Sequence, residues 1–438
     1  MMKMTRKTKI IATLGPSCSS PNTIEEMMVS GVDVFRINFS HANHSEIEKI
    51  ISTIRSLNKK NNCYSSILAD LQGPKLRIGN VNEDVIIRRG EVVEFCSEKK
   101  FIGDNKRVYV KYKKFAQDVK IGEKFLVDDG KLILEILETD KKNNVKAKVI
   151  QGGALFSKKG INLPNTKISL PALTDKDFED AIFSINQKVD WIALSFVRNG
   201  NDLNKLKKLI NEKSNHKIPV ISKIEKPEAL DNIDEIISNS DGIMVARGDL
   251  GVEVSAAKVP LIQKQLVNKA KKARIPVIIA TQMMEGMIES LTPTRAEVND
   301  VANSVMDGAD AVMLSGETSV GKYPVKVVSV MSSILKTVEN SPLIKVPHSP
   351  PSVRSKRYIT KSICYHAANM ANEIDATAIC TLTNSGYTAF QISAWRPNAN
   401  ILVFTSNKLI LTQLNLLWGV KAFYYDKFES TDKTVEQV

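Results

Sequence analysis

Lys223 and Glu225 stand two positions apart in the run ISKIE, residues 221–225. On an extended strand that spacing puts an ammonium and a carboxylate on the same face. A second isolated carboxylate, Asp249, follows in ARGDLG, residues 246–251. If the two segments lie on adjacent strands, the carboxylates converge. Two carboxylates with room for water and substrate oxygens suit Mg²⁺ or Mn²⁺. A lysine beside such an ion, with Arg36 across the mouth, forms a trap for a phosphoryl group. The competing reading is an ion-pair network on a structural rim.

Other groups in similar settings are Asn38, Ser40 and His41; Asp70, Leu71, Lys75 and Arg77; Ser195 and Arg198; Gly248; and Thr281 and Gln282. His41 is read as a hydrogen-bonding or nucleotide-contacting side chain rather than a proton shuttle. Residues 316–322 (GETSVGK) match the outline of a phosphate-binding loop. Tyr323 stands where such a loop needs a metal-holding hydroxyl, and Pro324 follows, so the match is set aside. No Cys/His cluster for zinc and no nucleophile elbow is present.

These residues need elements to position them. Short apolar runs recur at 8–13, 33–38, 66–70, 190–195, 219–223, 241–246, 276–281 and 310–315. They are continuous rather than alternating, as expected of strands buried on both faces in a parallel sheet. Amphipathic segments such as 204–210, 229–237 and 259–273 lie between them. Eight alternations of strand and helix predict an α/β fold closed as a (β/α)8 barrel. The chemistry is then expected at the C-terminal ends of the strands, where the candidates above sit.

The rhythm breaks between 70 and 190. Residues 78–170 read as short strands with turns at Arg89-Gly90, Asp128-Asp129-Gly130 and Gly152-Gly153, predicting hairpins in an inserted all-β domain. After a helix near 324–339, prolines at 342, 347, 350 and 351 mark a linker. Beyond it, helices at 362–372, 388–395 and 409–417 alternate with strands at 378–381 and 401–404. The expected division is a barrel of residues 1–76 and 171–341, an insert of 77–170, and a C-terminal α/β domain of 342–438. That agrees with the roughly three domains suggested by 438 residues.

Composition excludes several classes. The chain is 43% hydrophobic and 25% charged, ordinary for a globular protein. No apolar run approaches a membrane span, and five well-separated cysteines point to free thiols in the cytoplasm. The net charge of +13 raises nucleic acid as a partner, but the lysines are dispersed among acids without interleaved aromatics. The insert, at 77–167, carries 20 basic and 13 acidic residues, so more than half of the excess is surface lysine there. A nucleic-acid partner is not expected, nor is a membrane.

At these residues the chain resembles the pyruvate kinase family. The segments that carry the resemblance are 8–17 (TKIIATLGPS), 35–41 (FRINFSH), 221–225 (ISKIE), 241–253 (DGIMVARGDLGVE), 280–283 (ATQM), 293–301 (PTRAEVNDV) and 313–318 (MLSGET). Residues 158–164 (KKGINLP) and 170–177 (LPALTDKD) match it at the end of the insert. The resemblance implies phosphoryl transfer from phosphoenolpyruvate to ADP, giving pyruvate and ATP. It implies that Lys223 stabilises the phosphoryl group in flight and that Glu225 and Asp249 hold Mg²⁺. Arg36, Gly248 and Thr281 are implied as substrate contacts, with Thr281 near the carbon that is protonated. Asn38, His41, Arg77 and Lys159 are implied as nucleotide contacts, the insert acting as a lid. A homotetramer is implied as well. The alternatives are another Mg²⁺-dependent phosphoenolpyruvate or 2-oxoacid barrel enzyme, or a catalytically silent binding protein.

Two departures qualify the resemblance. Many family members bind K⁺ through positions matching Asn38, Ser40, Asp70 and the carbonyl of Leu71. Here Leu71-Gln72-Gly73-Pro74-Lys75 resembles the subgroup in which a lysine supplies that charge, so K⁺ is expected not to be required. The C-terminal domain resembles the family's regulatory domain at 381–386 (TLTNSG) and 414–420 (LNLLWGV), with Tyr387 where a basic residue is common. Its last strands are absent after Val438, so it is expected to be incomplete and its usual activation by sugar phosphates doubtful.

Overall fold

The computed structural model describes residues 6–40, 43–164, 166–341, 350–353, 355–427 and 433. Its strands in chain order are β1 (Lys9–Thr13), β2 (Val34–Asn38), β3 (Ser66–Asp70), β4 (Ile86–Ile87), β5 (Val92–Cys96), β6 (Arg107–Tyr109), β7 (Lys124–Val127), β8 (Leu132–Thr139), β9 (Asn144–Gln151), β10 (Gly153–Ala154), β11 (Ile161–Asn162), β12 (Trp191–Leu194), β13 (Val220–Ile224), β14 (Gly242–Ala246), β15 (Val277–Ala280), β16 (Ala311–Leu314), β17 (Ala378–Leu382), β18 (Asn400–Thr405) and β19 (Val420–Tyr424).

Strands β1, β2, β3 and β12 to β16 close into a parallel barrel in the order β1-β16-β15-β14-β13-β12-β3-β2. All eight coincide with the apolar runs to within two residues. Their continuous hydrophobicity has a direct cause. One set of side chains fills the barrel interior, with Ile11, Val34, Leu68, Trp191, Ile221, Met244 and Ile278 fully buried. The other set, such as Ile10, Phe35, Ile67, Ile243 and Val312, packs under the helices. The segment read as one amphipathic stretch at 229–237 is two short helices, Pro227–Asp231 and Ile233–Ser238, broken at Asn232.

The insert leaves after β3 and has its own core around Phe95, Phe115 and Phe125. Its main sheet has the order β11-β7-β8-β9-β5-β6. Asp128, Asp129 and Gly130 turn β7 into β8 with φ of +54°, +53° and +89°, as the hairpin reading requires. The other two expected hairpins differ. Gly152-Gly153 does not fold β10 back on β9, because β10 pairs with β4. Likewise Arg89-Gly90 joins β4 to β5, which belong to different sheets. A Cβ at Gly152 would meet the Ile87 carbonyl oxygen at 2.3 Å, so this glycine serves the close approach of two backbones, not a tight turn.

The C-terminal domain is a three-stranded parallel sheet, β17-β18-β19, flanked by helices that include Tyr358–Glu373 and Tyr387–Ala394. It docks on the N-terminal end of the barrel. Leu416, fully buried, joins the barrel's interior cluster, and Phe390 packs against that cluster. Arg396 Nη1 donates to Asp310 at 2.9 Å, Asn415 Nδ2 to the Asp33 carbonyl at 3.0 Å, and Trp191 Nε1 to the Gln413 carbonyl at 3.1 Å. Among the described residues no helix is long and apolar enough to cross a membrane.

Candidate functional site

The C-terminal ends of the barrel strands carry a buried network of charges. Arg36, on β2, sends Nε to Asp70 Oδ2 at 2.6 Å and Nη1 to Thr13 Oγ1 at 2.9 Å. Asp70 is the last residue of β3 and is 1% exposed. Its other oxygen faces Lys223, with Nζ to Oδ1 at 3.2 Å. Lys223 also contacts Glu225 Oε1 at 3.1 Å and donates to Ser195 Oγ at 2.8 Å. Ser195 Oγ in turn donates to the Leu71 carbonyl at 2.7 Å. The second Glu225 oxygen accepts the Phe196 N–H at 2.7 Å. Phe196 holds φ of +54°, a strained conformation for a bulky residue, and it aims that N–H at the carboxylate.

The electrostatics follow from this geometry. Burial alone would raise the Asp70 carboxyl, but Lys223 and Arg36 outweigh it and hold it below the ordinary value. Burial would likewise strip the proton from Lys223, yet Asp70 and Glu225 keep it above the usual lysine range. Glu225 goes the other way. Burial raises it, Lys223 opposes, and Asp249 adds like-charge repulsion, leaving it above its ordinary value.

Asp249 lies on the short helix Arg247–Glu253 that follows β14, which pairs with β13. Its carboxylate is partly exposed and sits 3.6 Å from Lys75 Nζ. Gly248, on the same helix, donates its N–H to Thr281 Oγ1 at 2.7 Å. Thr281 and Gln282 follow β15 with φ of +71° and +53°. A β-branched residue in that region is strained, and the strain turns the hydroxyl toward the helix start.

Comparison with known proteins identifies the family. A model described as "Pyruvate kinase, barrel domain" matches residues 5–328, and one described as "Pyruvate kinase, alpha/beta domain" matches residues 361–438. A pyruvate kinase of Corynebacterium glutamicum is 42% identical over 436 residues, covering 99% of this chain and 90% of that protein. One from Mycobacterium tuberculosis is 40% identical over 442 residues, covering 99% and 91%. The crystal structure of a pyruvate kinase from Cryptosporidium parvum superposes with a TM-score of 0.91 at 34% identity, covering 99% of this chain and 90% of that one.

The chain belongs to the pyruvate kinase family.

Of the residues singled out in the sequence, the structure gathers Arg36, Asp70, Lys223 and Glu225 into one network and brings Asp249, Gly248 and Thr281 beside one another through the helix that follows β14. Asn38 and Asp70 are register partners on β2 and β3, and Asn38 Oδ1 accepts the Ser40 N–H at 3.1 Å. The Leu71 carbonyl is engaged by Ser195. Lys75 is ion-paired with Asp249. Arg77 and Lys159 make their bonds inside the insert, Arg77 Nη1 to the Lys158 carbonyl at 3.0 Å and Lys159 Nζ to Asp128 at 2.8 Å. His41 lies outside the described residues.

Residues 316–322 form no phosphate cradle. Gly316–Ser319 is a single helical turn, Thr318 Oγ1 donates to the Thr13 carbonyl at 2.8 Å, and Glu317 accepts the Ser315 and Met284 N–H groups. Sequence reading gave no role to Arg247. Its guanidinium grips Asp300 with two bonds of 2.6 Å and donates to the Thr281 carbonyl at 2.9 Å. It thereby ties the ARGDLG and PTRAEVNDV segments together beneath the strained Thr281. Its position directly before Gly248 was the available signal.

Proposed function

We propose that this pyruvate kinase family member transfers the phosphoryl group of phosphoenolpyruvate to ADP, giving pyruvate and ATP. The observation that carries the reading is Lys223, buried at the barrel mouth, charged, and braced by Asp70, Glu225 and Ser195 opposite the guanidinium of Arg36. Phosphoryl transfer needs positioning and cationic charge more than covalent help, and this site supplies both in a buried setting. In this reading Arg36 and Lys223 hold and neutralise the phosphoryl oxygens, and the positive charge remaining on Lys223 steadies the enolate left behind. In the same reading the Thr281 hydroxyl, which accepts the Gly248 N–H and donates to the Ala280 carbonyl, would serve the protonation of the enolate carbon.

The family generally uses Mg²⁺, and Glu225 with Asp249 fit a hard divalent ion. Both are oxygen donors, and Glu225 is raised chiefly by burial and further by the charge of Asp249, a repulsion that a bound cation would offset. Among the described residues no cluster of three or more His, Cys, Asp or Glu side chains is arranged for a metal, so water and substrate oxygens would complete the shell. When bound, the ion supplies charge neutralisation between substrate oxygens.

We also propose that Lys75 replaces K⁺. The support is the Leu71–Lys75 sequence; the ammonium itself faces Asp249 at 3.6 Å, while Asp70 pairs with Arg36 and Lys223. Arg77 and Lys159 would reach the nucleotide as the insert closes, joined by Asn38 and by His41. Residues 77–170 would then act as the lid, 1–76 and 171–341 as the catalytic barrel, and 342–438 as a regulatory-type domain. The exposed apolar residues Ile359, Ile363, Met370 and Ile374 along one C-terminal-domain helix and its end support a homo-oligomer, the tetramer of the resemblance. Free cysteines throughout favour the cytoplasm.

A lactate-dehydrogenase-coupled assay with Mg²⁺ tests the activity. Pyruvate must form from phosphoenolpyruvate only when ADP is present. Formation without ADP would favour another barrel enzyme, and none at all would favour a silent binder. Turnover that rises by orders of magnitude when K⁺ is added to a K⁺-free assay would refute the role of Lys75.

A further inference from the structure

Glu253 ends the helix that begins at Arg247, four residues beyond Asp249. Its side chain is almost wholly buried, at 4% exposure. A single oxygen, Oε1, accepts two donors, Lys226 Nζ at 2.6 Å and Asn162 Nδ2 at 2.9 Å. Lys226 and Asn162 are each 8% exposed. The second oxygen, Oε2, is buried with no hydrogen-bond partner among the described residues.

The three residues come from three different segments. Lys226 directly follows Glu225. Asn162 belongs to β11 of the insert, where it pairs with Leu126. Glu253 closes the helix that carries Gly248 and Asp249. One carboxylate oxygen therefore joins an insert strand to both segments that hold the candidate metal ligands. Glu253 and Lys226 line a cavity at the insert–barrel junction, where Leu76, Ile161, Leu170 and Phe196 stand beside Lys75, Asn162 and Arg198. A buried ion pair is a poor source of stability, because apolar side chains of the same volume serve as well or better. At a buried junction, however, its geometry is held tightly.

We infer that Glu253 is a positioning residue. It fixes the base of the insert to the Glu225 and Asp249 segments, so that the orientation of the insert and the spacing of the metal ligands are set together. The inference rests on the proposed reaction for its kinetic consequences and on the geometry alone for its mechanical ones.

The mildest test is Asn162→Ala, which removes one donor and leaves the Lys226–Glu253 pair in place. The expected result is a KM for ADP raised about tenfold, because the insert carries Arg77 and Lys159, while phosphoenolpyruvate binding measured with Mg²⁺ and without ADP stays within twofold. Glu253→Gln, which keeps an oxygen for the two donors but removes the negative charge opposite Lys226, is expected to raise the KM values for both ADP and Mg²⁺. The two changes combined should be non-additive on the ADP KM, since they act through the same oxygen. Amide hydrogen exchange read at β11 and β7 in the Asn162→Ala protein should speed up about tenfold with no ligand present. A lowered melting temperature with unchanged KM values and unchanged exchange would mean a merely structural contact and overturn the inference. If the wild-type protein made no pyruvate, the proposed reaction would fall, and the exchange measurement would still decide whether the insert is held by this oxygen.

Discussion

Replacing Lys223 by Met separates chemistry from architecture at this site. The substitution keeps the length and the apolar stem and removes only the ammonium. Two carboxylates lose a partner, but not equally. Asp70 keeps Arg36 at 2.6 Å, so its charge stays compensated. Glu225 keeps only the Phe196 N–H and still faces Asp249. Breaking a buried pair by removing one partner costs about 3–5 kcal/mol. Here the lower end applies, because Glu225 is already raised and escapes further cost by taking up a proton. The folded state should therefore survive with a lowered melting temperature. Catalysis should suffer far more. A cation that stabilises a phosphoryl group in flight is worth about 10³–10⁵ in turnover, or about 4–7 kcal/mol in the barrier. The coupled assay should show turnover reduced at least a thousandfold. Binding of phosphoenolpyruvate, followed by the ligand-induced rise in melting temperature with Mg²⁺ present, should weaken about tenfold, because Arg36 and Asp249 remain and Glu225 need only release its proton to the solvent as the ion binds. Turnover within tenfold of wild type would refute the role given to Lys223. So would loss of the folded state without ligand, which would make the network architectural.

Three further outcomes follow from the same geometry. Glu225 must lose its proton to hold a cation, and its pKa lies above the ordinary glutamate value, so the KM for Mg²⁺ should fall as pH rises above that value; for stability the sign reverses, this group favouring the fold most below the ordinary value and losing that contribution as pH climbs through the raised one, which melting curves across pH check against Glu225→Gln. Gly73 has φ of +69° and a Cβ there would stand 2.8 Å from Ser195 Cβ, so Gly73→Ala should cost about 2 kcal/mol or more in stability and lower turnover by displacing the serine that braces Lys223, whereas an unchanged melting temperature would contradict the packing. Thr281→Ala leaves the Gly248 N–H without its acceptor and should reduce turnover at least tenfold, while Thr281→Ser, which keeps the hydroxyl, should stay within a few-fold; equal losses in the two variants would assign the effect to the methyl group.

The barrel was legible because its signal is local. Each strand is a continuous apolar run, and nothing but burial on both faces produces eight of them in order. The network of Arg36, Asp70, Lys223 and Glu225 was legible as a list of strand ends, since the fold sends all such ends to one rim. Its internal wiring was not legible. That Asp70 stands between two cations depends on the pairing of β2 with β3 and on side-chain reach across the barrel mouth. Arg247 escaped for the same reason, its main partner lying 53 residues away. Glu253 escaped because its donors come from the insert and from the segment that follows β13, and a lone glutamate at a helix end carries no mark in sequence. In the insert, Gly152 read as a turn because glycine signals both turns and close backbone contacts, and only the pairing of β10 with β4 separates the two. In the C-terminal domain, β19 was missed where the run at 420–424 follows directly on a motif read as a helix end.

The two ends of the barrel divide their labour in a way that the hydrogen bonds make plain. At the strand starts, polar groups are spent on the C-terminal domain. Asp310 takes Arg396, the Asp33 carbonyl takes Asn415, and Lys9 Nζ donates to the Val420 carbonyl at 2.9 Å. Leu416 then closes the interior, so that end is packed shut. At the strand ends, Arg36, Asp70, Lys223 and Glu225 pair with one another, and Glu225 stays above its ordinary value chiefly because it is buried. The charge of Asp249 adds to the effect of burial, and under the proposed reaction a bound cation would offset that repulsion where a barrel of this kind carries its chemistry.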